Sequence, residues 1–372
     1  MGVDKSGPSP LNKLIDTGVL RYFTPMKNPS GFACFGELLL RLSAPGNELL
    51  LQTGSLAVHI GGAEANVAVS LARFGHAALM ASVVPDNPLG KACIGELRRH
   101  GVRTEAIHTG PGRMGLYFLT IGAGHRPSEV LYDRADSAFA VASPGLMDWR
   151  EILSGVSWLH VSGVTPAVSP GAAEAALRAV RMARELGRSV SFDCNYRSKL
   201  WERWRGDART ILRDIVAESD LLFAEERDMA LILGRDFQEG LAQGSSGPAH
   251  ERFQIASTEA LARFPHLKWI ATTVRTQKSV DHHDLAAKLM TRNGLWTTRT
   301  YSIGRIVDRI GSGDAFAAGV LHGLETGLDN QASVDFGLAA ACLKHSIPGD
   351  FNLIGVADVH NLLQDAGFTV RR

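Results

Sequence analysis

The apolar positions of this 372-residue chain change their period along its length. Gly31–Leu40 (GFACFGELLL) is a nearly continuous apolar run and predicts a buried first strand ending near Gly36 and Glu37. A polar, alternating stretch follows, and then an amphipathic run over 64–74 that predicts a helix stopped by Gly75. Ala78–Val84 predicts a buried strand and Gly90–His100 a helix. Gly115–Ile121 (GLYFLTI) is aromatic and β-branched, and Glu129–Arg134 (EVLYDR) alternates, so the two predict a hairpin across 122–128. From residue 156 onward strand and helix patterns alternate. Val156–Val161, Ser189–Asp193, Leu221–Phe223 and Trp269–Thr273 read as strands. Pro170–Leu186, Ala208–Glu218, Arg227–Leu233 and 314–325 read as helices, with a helical pair at the end. Such alternation predicts an α/β protein: a mainly parallel sheet with helices on both faces and ligands at the carboxyl ends of its strands. Gly244–His250 reads as a surface loop. Residues 1–30, with their prolines and scattered charge, read as an extension outside a fold that occupies 31–366.

Composition acts mainly by exclusion. The chain is 45% hydrophobic and 21% charged with a formal net charge of +1, which is ordinary for a globular protein. That balance gives no electrostatic case for nucleic acid or a membrane as partner. No apolar run reaches membrane-spanning length and the first thirty residues lack a signal-peptide core, so a cytoplasmic setting is expected. Cys34, Cys93, Cys194 and Cys342 are far apart in sequence and read as buried free thiols.

Two glycine-rich helix starts carry the candidate chemistry. In DRIGSGDAFAAG (308–319), Gly311, Ser312 and Gly313 bring backbone N–H groups together where a helix begins. Those donors have no intrahelical partner and the helix dipole is positive there, so the turn suits an anion. Asp314 sits in the same turn. A carboxylate there fits a base that takes a proton from a hydroxyl, or simply an acidic residue capping a helix. In HIGGAEANVAVSLARFG (59–75), Gly61 and Gly62 let backbone approach a small ligand, and Asn66 offers both donor and acceptor. The chain contains neither GxxxxGK[ST] nor a GxGxxG after the first strand, which excludes a P-loop and a dinucleotide fingerprint.

Taken together, the two regions resemble the signatures of the ribokinase (PfkB) family of carbohydrate kinases, over about Gly31 to Leu363. The resemblance implies a ribokinase-like three-layer α/β/α sandwich with a small β-sheet lid, formed by segments near 42–60 and 115–135. It implies Asp314 as catalytic base and Gly311, Ser312 and Gly313 as the anion hole. GLYF, YDR, DCNYRSKLW and PGDF are further similar to the 2-keto-3-deoxygluconate kinase branch. That implies a small acidic sugar held by Gly62, Tyr117, Tyr132, Arg134, Arg197, Asp314 and Asp350, with Gly61, Asn66 and Asn195 beside them. Arginine in such a pocket suits a carboxylate, which it can grip through two parallel bonds. Tyr132 and Arg134, two apart, are expected on one face of a strand. On the nucleotide side, ATTVRTQ (271–277) is expected to follow a strand and to supply Thr273 and Arg275, with Gly311 and Gly313 at the phosphates. Many family members carry Asn-x-x-Glu where this chain has Glu225 and Asp228 as metal ligands. The implied cofactors are ATP and Mg²⁺, with room for a monovalent cation such as K⁺. The implied reaction is phosphorylation of 2-dehydro-3-deoxy-D-gluconate at its 6-hydroxyl. A fructokinase, a ribokinase, a 5-dehydro-2-deoxygluconokinase or a catalytically weak sugar-binding protein are the alternatives. One-sided apolar alternation in the lid segments adds an expected homo-oligomer joined through the lids. The segment 234–268 has no functional account.

Overall fold

The run Gly31–Leu40, expected as one strand, is two strands in two different sheets. β1 (Phe32–Phe35) is buried at every residue in a large sheet, and β2 (Leu39–Ser43) belongs to a smaller one. Both halves are buried, so hydrophobic period carries no mark of the turn between them. The computed structural model describes residues 30–365 apart from 236 and 239–248. The expected N-terminal extension therefore lies outside the described residues, save Ser30. So does the expected loop at Gly244–His250, except that Ala249 opens the Ala249–Arg263 helix.

The remaining strands are β3 (Ala57–Gly61), β4 (Ala78–Pro85), β5 (Arg103–Gly110), β6 (Gly115–Thr120) and β7 (Glu129–Asp133). They continue with β8 (Trp158–Ser162), β9 (Ser189–Asp193), β10 (Leu221–Phe223), β11 (Trp269–Gln277), β12 (His282–Thr291), β13 (Gly294–Thr297) and β14 (Tyr301–Gly304). The large sheet runs β13-β12-β11-β10-β9-β8-β1-β4-β5, and β14 also pairs with β12. From β11 to β5 every neighbouring pair is parallel, whereas β12 joins β11 antiparallel. Two apolar cores explain the layers. Ala33 and Phe35 of β1 pack in one core with the helices Pro170–Glu185, Ala208–Ala217 and Ala249–Arg263. Phe32 and Cys34 pack in the other with Ala63–Arg73, Ser312–Glu325 and Asn330–Lys344. A strand covered on both faces is apolar throughout, which is why its period disappears.

The small sheet runs β3-β2-β6-β7, with β6 and β7 antiparallel as the expected hairpin. It is the expected lid, although its first strand starts at Leu39 rather than near 42. Its inner side packs Leu39, Tyr117 and Leu119 together, with Ile310 against them. Register brings Asp193 and Phe223, the last residues of β9 and β10, level with Ala271, the third residue of β11. The loops that follow these ends open toward the lid. All four cysteines are buried and unpaired. Among the described residues, no helix is long and apolar enough to cross a membrane.

Candidate active site

A cleft of about 900 Å³ lies between the lid and the carboxyl ends of the large sheet. Its floor is the start of the Ser312–Glu325 helix. Gly311 precedes that helix in the left-handed region, with φ of 81°, and a side chain there would stand 2.0 Å from the Asp350 carbonyl oxygen. Only glycine meets both demands. Gly311 and Gly313 line the cleft. Ser312 does not, because its N–H bonds back to the Arg309 carbonyl at 3.3 Å, so the anion turn rests on its neighbours.

Asp314 lies in the first helical turn, and its Oδ2 accepts a 2.6 Å hydrogen bond from Asn66 Nδ2. Asn66 comes from the other glycine-rich helix, so the two regions 248 residues apart meet at this bond. Burial pushes the Asp314 carboxyl up to about 7, against the bond from Asn66. Glu64 and Asp350 push the same way. A carboxylate with such a pKa is half-ionised near neutrality, which is where a general base works best. Asp193 faces Asp314 from the end of β9 and is itself raised by burial and by Asp314. Asp193 is a further cleft-lining acid within the DCNYRSKLW segment; its place at a strand's carboxyl end is the signal.

On the lid side, Tyr117 and Tyr132 are register partners on β6 and β7, with ring centroids 6.4 Å apart, and both line the cleft. Arg134 lies just beyond the end of β7 and not on the strand face expected for it. It lines the cleft, but its Nε donates to Glu37 Oε2 at 2.6 Å in a pair that is 5% and 1% exposed. Arg197 is different: it is exposed on the rim, bonds only to its neighbour's carbonyl, and makes no ion pair among the described residues. Asn195, just before it, holds a left-handed φ of 36°, which asparagine tolerates better than most residues. Gly62 lines the cleft with φ of 143° at the start of the Ala63–Arg73 helix. Gly61 does not line it. A side chain at Gly61 would strike Asp350 Oδ2 at 2.3 Å, so this glycine makes room for the acid. Asp350 reaches the cleft while accepting a hydrogen bond from Tyr117 Oη and facing Arg41 Nε at 3.2 Å. Arg41 lies in none of the motifs; Asp308, which opens DRIGSGDAFAAG, and Glu37, within the first apolar run, carry no expected role, and all three are buried.

The segment 271–277 does not follow a strand; it makes up all of β11 but its first two residues, with Thr273 opposite Ala287 and Arg275 opposite Leu285. Thr273, Arg275 and Arg309 line this end of the cleft. Burial and the charge of Arg275 lower the Arg309 pKa, and Asp308 opposes them. Glu225 and Asp228 line the cleft at the start of the Glu226–Leu233 helix. Asp228 accepts from the Glu225 N–H at 3.1 Å and Glu225 pairs with Arg227 at 3.0 Å. Among the described residues no group of three or more His, Cys, Asp or Glu can hold a metal. Two carboxylates one turn apart suit a hard cation that keeps several waters and takes its other oxygens from phosphate.

Residues 31–352 match the pfkB family of carbohydrate kinases. A 2-dehydro-3-deoxygalactonokinase of Haloferax volcanii is 32% identical over 335 residues, which are 90% of this chain and 97% of the relative. A 2-dehydro-3-deoxygluconokinase of Bacillus subtilis is 27% identical over 327 residues, 86% of this chain and 90% of the relative. The solved structure of 2-dehydro-3-deoxygluconokinase from Thermotoga maritima is similar with a TM-score of 0.83 and 36% identity, covering 90% of this chain and 99% of that one.

Proposed function

The chain belongs to the pfkB family of carbohydrate kinases, and from that premise we propose that it transfers the γ-phosphoryl group of ATP to the 6-hydroxyl of 2-dehydro-3-deoxy-D-gluconate. The products are the 6-phosphate and ADP. The observation that carries this reading is the Asp314 carboxyl, raised to about 7 beside an amide-lined helix start. Asp314 takes the proton of the attacking hydroxyl as its oxygen bonds to phosphorus and the bond to ADP breaks. The Gly311 and Gly313 amides face the charge on the transferring group. Arg275 and Arg309 balance the rest of the polyphosphate. Glu225 and Asp228 would hold Mg²⁺ through water, and the ion neutralises phosphate charge when bound. Closure of the lid, which carries Tyr117 and Tyr132, excludes water, the competing acceptor.

The acidic sugar is supported by Arg197, whose exposed guanidinium lines the cleft and makes no ion pair among the described residues, and by the substrates named for the relatives. Arg134 contributes from behind, since Glu37 already balances its charge. A second reading, the C4 epimer, is favoured by the Haloferax relative's name. A coupled ADP-release assay over both epimers and a set of neutral sugars separates these readings. Faster turnover of fructose or ribose than of either acid would overturn the acidic-sugar reading.

The same proposal places the enzyme in the cytoplasm, where ATP is made and free thiols persist. It also includes a homo-oligomer joined by the lids, because Val58 and Leu131 on the lid strands β3 and β7 are 59% and 58% exposed. Light scattering across a dilution series tests the assembly. A fully active monomer at micromolar concentration would refute it.

A further inference from the structure

Behind the anion turn lies a buried cluster of charge, with Asp350 at its cleft edge, to which the phosphoryl-transfer steps assign no role. Lys344, the last residue of the Asn330–Lys344 helix, is 0% exposed, and Arg41 on β2 is 1% exposed. Lys344 Nζ donates to the Ile347 carbonyl at 3.0 Å. Its Cε stands 3.4 Å from where a side chain at Gly311 would begin, so the ammonium stem lies directly against the anion turn. Arg41 Nη2 donates to Asp308 Oδ2 at 2.6 Å, and its Nε faces Asp350 Oδ1 at 3.2 Å. The backbone stitches the same two segments together: the N–H groups of Val307 and Asp308 bond the His345 carbonyl, and the Gly349 N–H bonds Asp308.

The family resemblance leaves room for a monovalent cation. A cation that stiffens the anion turn has to stand behind it, where carbonyl and carboxylate oxygens gather. In this chain those oxygens already face a donor or a cation; Asp350 Oδ1 accepts no hydrogen bond but stands 3.2 Å from Arg41 Nε. Asp308 Oδ2 accepts from Arg41 and Gly349, and Asp308 Oδ1 accepts from Ile310 N–H. The Ile347 carbonyl accepts from Lys344. Two cations, Arg41 and Lys344, face two carboxylates, Asp308 and Asp350, so no net negative charge is left to attract an ion. Lys344 also stands at a helix C-terminus, where the dipole favours a cation. The residues present therefore do not fit a bound K⁺.

We infer that the Lys344 ammonium is a resident cation in place of a bound monovalent ion, a positioning residue that braces the 308–314 turn and makes phosphoryl transfer independent of K⁺. Burial pulls its pKa below the ordinary lysine value, and Asp308 and Asp350 oppose that pull. The inference rests on the kinase activity but not on which sugar is phosphorylated.

The test uses the full chain, with K⁺ replaced by tetramethylammonium, a cation too large for such a site. With whichever sugar turns over, the wild-type kcat changes less than about twofold on adding K⁺; stronger activation overturns the inference. Lys344→Met lowers kcat by about tenfold or more, while the KM values for sugar and ATP move less than about threefold. A smaller loss of kcat, or a loss seen only in KM, overturns it. Lys344→Ala opens a cation-sized space, so K⁺ raises its Tm by about 2 °C or more and leaves the wild-type Tm unchanged. A K⁺-dependent Tm in the wild type overturns the inference as well. If neither variant folds, the wild-type K⁺ comparison decides. The Tm arm needs no substrate, so failure of the proposed sugar chemistry is read apart from failure of the resident cation.

Discussion

Glu64 and Asp314 are both carboxylates in the first turn of a helix that follows a glycine-rich turn, and their surroundings give them different work. Glu64 is 1% exposed, and its Oε1 accepts from Ser162 N–H, Ser162 Oγ and Thr165 Oγ1 at 2.6–2.8 Å. It ties the Ala63–Arg73 helix to β8 and the turn after it. Among the described residues the Asp314 carboxyl accepts from one side-chain donor, Asn66, and it opens into the cleft. The same division separates the arginines: Arg134 is closed by Glu37, and Arg197 has no ion pair among the described residues. A helix start alone thus does not make a reactive acid. A side chain that is desolvated but still has an unfilled face toward ligand does.

Several substitutions would break or sharpen this comparison. The largest effect is expected at the open acid. Asp314→Asn should lower kcat by about a hundredfold to ten-thousandfold, with sugar binding retained by calorimetry. More than half the normal kcat would sink the base assignment. Next comes the closed arginine. Arg134→Ala leaves Glu37 buried and unpaired, so the unfolding free energy in urea should fall by about 3–5 kcal/mol. An unchanged unfolding midpoint with a large rise in sugar KM would instead make Arg134 a direct reader of the carboxylate.

Arg197→Ala should show the reverse. Loss of a charge-assisted contact is worth about 1.5–3 kcal/mol, about a tenfold to hundredfold rise in the sugar KM, with KM for ATP and the unfolding midpoint unmoved. Equal shifts for both substrates would remove Arg197 from the sugar site. Glu64→Ala strands three buried donors and should cost about 1–3 kcal/mol of stability while the folded protein keeps its kcat within about threefold. A selective loss of kcat would mean that Glu64 belongs with Asp314 after all.

The smallest effect is read from pH. The ionised form of Asp314 is the active one, so kcat/KM should rise with pH and level off above about 7. The sign for stability is opposite. A carboxyl whose folded pKa is raised adds stability below its ordinary value, and this is lost as pH climbs to about 7. Asp314→Asn should remove that loss and raise Tm at pH 8 by about 2 °C or more. A lower Tm for Asp314→Asn at pH 8 would contradict the raised pKa.

The alternation of strand and helix after residue 156 was legible from local pattern, and so was the hairpin of the lid. Each rests on the period of side chains along one segment, which the chain itself carries. Asp314, Asn66 and the glycines of both turns were legible for a related reason: a bare, left-handed turn at a helix start leaves its mark in residue type. Pattern reading failed where burial erased the period, as at the break between β1 and β2, or where polar residues interrupt it, as in β12 (HHDLAAKLMT). It could not tell Glu64 from Asp314, or Arg134 from Arg197, because the difference lies in partners up to 248 residues away in sequence. The pKa of Asp314, the pairing of Arg134 with Glu37 and the burial of Lys344 beneath Gly311 were decided only by tertiary structure. Charge and desolvation act through space, and only the folded chain sets which groups are close enough to feel them.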